Sequence, residues 1–68
     1  MRTWTSAEKA ELSNLYHLAA TALPADKSRS LYERQKWAAR QFEAAHPEVK
    51  SLAAYKELDR QSAWRYGR

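Results

Sequence analysis

The chain has 68 residues, twelve Lys and Arg against eight Asp and Glu for a formal charge of +4, and no cysteine. That length allows one domain, which buries only about 60% of its unfolded surface and draws about 3–5 kcal/mol from its core. The missing cysteines exclude a disulfide framework and a thiolate zinc site, which leaves self-association to complete the core.

The first helix is announced by Thr5 and Glu8. A Thr hydroxyl can accept from a free backbone N–H of the first turn while an acid three residues later reaches back, the reciprocal geometry of a capping box. Trp4 stands where a hydrophobic staple belongs. A helix over 6–22 then carries Leu12, Leu15, Tyr16, Ala19, Ala22 and Leu23 at three-and-four spacing, with Leu18 beside them. The segment from Pro24 to Ser28 reads as a loop, with Asp26 or Ser28 as the next cap. A connection that short turns a helix back on itself, so the first two helices should form an antiparallel hairpin.

The second helix is expected over 27–45, with Leu31, Gln35, Ala38, Ala39, Phe42 and Ala45 on one side. Alanines let a neighbouring backbone approach but bury little area at about 25 cal/mol per Å². Trp37 and Ala44 stand on almost the opposite side, among Arg29, Glu33, Lys36 and Arg40. His46-Pro47 ends this helix because the residue before proline disfavours helical geometry, and Pro47 suits the first position of the next. A third helix over 47–64 places Leu52, Tyr55, Leu58, Ser62 and Tyr66 along one side and Val49, Ala53, Arg60, Ala63 and Trp64 on another.

No residue set is spaced for catalysis, for a metal or for a cofactor. Glu8 with Glu11, and Glu57 with Asp59, suit helix surfaces and dipole compensation better than general acid/base work. His17 and His46 lack co-ligands, so the expectation is a non-enzymatic chain without cofactor, metal or small-molecule substrate. No apolar run approaches the roughly 18 residues of a membrane span, and no charged, apolar and small-residue leader is evident, so the expected setting is the cytoplasm, away from membranes.

The aromatic residues carry more information. Tyr16, Phe42 and Tyr55 read as core, whereas Trp37 is either an exposed anchor flanked by arginine or a ring packed under the third helix. Taken as an anchor it forms, with Arg40, Tyr32, Tyr55 and Trp64, a partner-binding surface of interface hot-spot composition. The basic residues Arg29, Arg34, Lys36 and Arg40 of the second helix are the alternative, a set that could touch DNA phosphates.

Trp4-Thr5-x-x-Glu8-x-x-x-Leu12-x-x-Leu15 resembles the first helix of Myb/SANT-type DNA-binding repeats, and Arg34-Gln35-Lys36-Trp37 is similar to the basic end of that family's recognition helix. The resemblance implies that Trp4 and Trp37 are core and that Arg34 and Lys36 lie near phosphates and base edges. The chain departs from the pattern in having no middle tryptophan near Leu23, in lacking the family's middle helix with its tight turn, and in placing its third helix beyond the matched region. In its size, its alanine content and its early helix start it is also similar to the small helical regulators encoded by phages and plasmids, which act as dimers on host proteins or nucleic acids. The reading that follows is an all-α protein: a helical hairpin crossed by a third helix, completed by homodimerisation. It would bind and inhibit a partner protein, such as a host regulator, with DNA-binding transcription regulation as the alternative.

Overall fold

Thr5 opens the fold as its sequence requires. Its backbone N–H donates to Glu8 Oε1 at 3.1 Å, and the Glu8 N–H donates to Thr5 Oγ1 at 3.1 Å. From that capping box runs α1 (Ser6–Ala22), which ends where Leu23 leaves helical geometry before Pro24. The computed structural model describes residues 3–65, with side chains described through residue 61. Its remaining helices are α2 (Ala25–Ser28), α3 (Leu31–Ala45) and α4 (Ser51–Arg65), and among the described residues there is no strand. The fold is all-α.

The expected second helix is two. Ser28 N–H donates to Pro24 O at 2.8 Å and Ser30 N–H to Lys27 O at 3.1 Å, which closes a single turn. Ser30 is extended, with φ −87° and ψ 120°, and its Oγ accepts from Glu33 N–H at 3.3 Å. The cap of the long helix is therefore Ser30 rather than Asp26 or Ser28. The start of α4 moves too. Pro47, Glu48 and Val49 form a turn closed by Val49 N–H to His46 O at 2.8 Å, and helix begins at Ser51, whose N–H donates to Glu43 Oε1 at 3.2 Å. A carboxylate from the end of α3 thus caps α4, and its charge suits the positive end of the helix.

The start of α1 lies against the end of α3, where Trp4 meets Phe42 with ring centroids 5.4 Å apart, so α1 and α3 run antiparallel. The end of α3 lies against the start of α4 through Glu43 and Ser51. α3 packs along both neighbours, whereas α1 and α4 touch sparsely. Leu12 and Tyr16 of α1, Ala38, Ala39 and Phe42 of α3, Val49 of the turn and Ala54 and Leu58 of α4 form the core. Leu12, Ala38, Phe42 and Ala54 have no exposure at all. Trp4 does not staple α1, because the position it would pack on is Lys9; it docks across the molecule on Phe42 instead.

Several stripe residues lie outside the core. Leu31 and Leu52 are exposed, as are Ala22 and Ala45, and α4 turns Ala54, Glu57 and Leu58 inward. Glu57 is a buried carboxylate with an assembled set of donors. Arg60 Nε donates to its Oε1 at 3.0 Å and Arg60 Nη2 to its Oε2 at 2.6 Å, while Gln61 Nε2 donates to Oε2 at 3.0 Å. The Arg60 hydrogen bond holds the Glu57 carboxyl below its ordinary value, against the opposing effect of burial and with help from Gln61 and Lys9. His46 stacks on Phe42 at 4.4 Å, and its Nε2 donates to Glu11 at 2.9 Å. The buried Tyr16 hydroxyl finds no hydrogen-bond partner among the described residues.

Three expectations for stability follow. Because the folded-state value of Glu57 is depressed, its contribution is present above the ordinary glutamate value of 4.5 and is lost as pH falls through the lower folded value. Glu57→Gln should remove that acid limb from a series of thermal melts between neutral pH and strong acid. Ser30→Ala should cost about 1 kcal/mol in chemical denaturation, and Ser30→Asp should retain most of it. Tyr16→Phe should leave stability unchanged or raise it by about 1 kcal/mol, since it removes a desolvated hydroxyl and no hydrogen bond.

Candidate functional site

Between α3 and α4 runs an open groove of about 300 Å³, lined by Tyr32, Lys36, Ala39 and Arg40 from α3 and by Ser51, Leu52 and Tyr55 from α4. Helical spacing puts Tyr32, Lys36 and Arg40 one turn apart on a single strip of α3. Ala39 forms the floor because its side chain is too short to fill the space between the helices.

Two tyrosines wall one end. The rings of Tyr32 and Tyr55 meet edge to face, with centroids 5.8 Å apart and planes at 76°, a favoured geometry for aromatic pairs. Lys36 Nζ lies 5.0 Å from the Tyr32 ring centroid, within cation–π range. Burial pushes the Tyr55 hydroxyl above its ordinary value, with Asp59 and Tyr32 adding to the rise, so the phenol stays a neutral donor at physiological pH. Tyr32 is 54% exposed and Leu52 63%, a pair of large apolar side chains on either side of one opening. The charged residues lining the groove are Lys36 and Arg40 alone.

Of the residues expected to bind a partner, Tyr32, Arg40 and Tyr55 are brought together here. Trp37 is not. Of the two readings left open for it, the packed one is closer: the ring is half-buried and lies against the core cluster. Ala38 and Ala39 leave that part of α3 thin, and an indole, with about 150–250 Å² to bury, covers what they cannot. The Trp64 side chain lies outside the described residues. Leu52, placed by periodicity on the same side of its helix as Tyr55 and Leu58, is a wall of the groove; its exposure is set by where α3 crosses α4, which helical periodicity does not encode.

The alternative basic set is divided. Lys36 and Arg40 face the groove, Arg29 ends α2, and Arg34 is half-buried with its Nε donating to Ser28 O across the α2–α3 junction. Arg34 lies about 140° round the helix from the strip shared by Lys36 and Arg40. These four cations therefore do not form one face. Among the described residues no group of three or more His, Asp or Glu could hold a metal, and no helix is long and apolar enough to cross a membrane.

Hydrogen-bonded side chains elsewhere serve the fold. Glu11, Glu43 and Glu57 each join elements or neighbouring turns, and none lines the α3–α4 groove. What the groove offers is recognition: an apolar floor and walls, a phenol, and two cations. Comparison of the chain with protein-family models, with curated proteins and with solved structures finds no match.

Proposed function

We propose that this chain is a small non-enzymatic regulatory protein that seats an acidic, apolar-anchored segment of a partner protein in the α3–α4 groove and inhibits that partner by covering its surface. The carrying observation is the convergence of Tyr32, Tyr55, Leu52, Lys36 and Arg40 on one opening whose only charges are positive. Aromatic and arginine side chains around a concave apolar floor are the composition that dominates binding energy in protein interfaces. An amphipathic helix fits such a groove by placing apolar residues at three-and-four spacing inside and acids at the rim. In this reading the protein works in the cytoplasm as a homodimer, with Leu18 and Leu31, 53% and 47% exposed, available to self-association away from the groove.

Selection from displayed libraries of amphipathic helical peptides tests the reading. Selected sequences should be rich in Asp and Glu opposite an apolar strip. Tyr32→Ala with Arg40→Glu should weaken their binding by about 30-fold or more, the effect of losing a hot spot of about 2 kcal/mol, with helicity by circular dichroism unchanged. Peptides that bind the double variant as well as the wild-type chain would place recognition elsewhere.

A further inference from the structure

The other flank of α4 carries a second cleft, of about 620 Å³, between that helix and the start of α1. Trp4 and Lys9 line it from one side, and Ala53, Lys56, Glu57 and Arg60 from the other. The single acid there is withdrawn: the Glu57 side chain is 5% exposed and is covered by the guanidinium fork of Arg60, which is itself 60% exposed. Lys9 and Lys56 are exposed and make no ion pair among the described residues. An incoming ligand therefore meets the charges of Lys9 and Lys56, the outward donors of an Arg60 already paired with Glu57, and an indole.

We propose that this cleft binds single-stranded nucleic acid, with Lys9, Lys56 and Arg60 on successive phosphates and Trp4 against a base. The pairing of a cationic track with an aromatic platform is what sequence-tolerant single-strand binding uses, because every base has a face to stack and every linkage a charge. A lone inorganic anion would use the cations but not the indole, whereas a strand uses both in alternation, a phosphate for each base. Glu57 has a positioning role. By fixing Arg60 Nε and one Nη2 hydrogen it leaves the remaining guanidinium donors directed away from the carboxylate. The site shares no residue with the α3–α4 groove, so it stands or falls independently of the partner-protein reading.

Fluorescence anisotropy of a labelled dT20 strand titrated with the full chain tests the proposal. Three phosphate contacts should give a slope of log K against log salt of about −2. Lys9→Gln with Lys56→Gln, two exposed positions whose replacement leaves the core intact, should weaken binding at least tenfold at low salt and flatten that slope. Lys36→Gln with Arg40→Gln should leave binding within about twofold of the wild-type chain, apart from the general loss of charge. An abasic 20-mer of the same backbone should bind about fivefold or more weakly than dT20, reflecting the lost base stacking. Equal binding of dT20 and the abasic strand, equal binding of polyglutamate, or retention of dT20 by the Lys9/Lys56 variant would each overturn the assignment.

Discussion

Phe42 in the last turn of α3, clamped by Trp4 on one side and His46 on the other, is the contact on which the packing of the helices depends. Its neighbours on the inner face of α3 are Ala38, Ala39 and Gln35, so it is the one large apolar side chain that this helix places fully inside. Burying a phenylalanine contributes about 1.5–3 kcal/mol, a large part of the about 3–5 kcal/mol that a core of this size supplies. Because the ring reaches both the start of α1 and the residue before Pro47, it ties the two ends of the antiparallel hairpin at one point. α4 then lies against the alanine stretch that Phe42 holds open. The shortness of those alanines leaves space along the α3–α4 seam, and Tyr32, Tyr55 and Leu52 surround that space without filling it.

Around this centre the acids act at boundaries. Glu8 completes the α1 cap, Glu11 holds His46, Glu43 caps α4 and Glu57 gathers Arg60 and Gln61. Each carboxylate is engaged within the fold. The bases are distributed differently: Lys9, Lys36, Arg40 and Lys56 reach into the two clefts that flank α4 without an ion pair among the described residues. Four of the twelve bases therefore line concave surfaces, while the four acids named here are held within the fold.

Much of the fold was legible in the chain, for local reasons. Thr5 with Glu8 and His46 with Pro47 mark boundaries through interactions within a few residues, and the structure places them where the local chemistry requires. Ser30 with Glu33 has the same spacing as the first cap, yet it sits inside a stretch that reads as continuous helix from Lys27, and only the closed turn before it shows the break. The inward face of α4 was illegible because Glu57 belongs there only once Arg60 and Gln61 are arranged around it, which no hydropathy pattern expresses. The candidate groove was half legible. Tyr32 and Arg40 share a strip of one helix, and Tyr55 joins them only through the crossing of α4. Trp37 stayed ambiguous in the sequence because periodicity fixes the direction of Cα–Cβ and not how far a large ring folds back over a thin face. The cleft between α1 and α4 left no sequence signal, since Lys9 and Lys56 meet only through tertiary packing.

The sparse contact between α4 and α1 has a dynamic consequence. α4 is fastened along α3, the most extensive helix contact of the fold, and by the Glu43 cap, so a form opened at α4 also gives up Ala54 and Leu58 from the core. Both clefts share α4 as a wall, and both vanish in the opened form. Any occupant of either one draws on the same closing equilibrium, and thermodynamic reciprocity then requires that each occupant favour the other by an equal factor. Two surfaces with no residue in common are in this way joined by the helix that forms their shared wall.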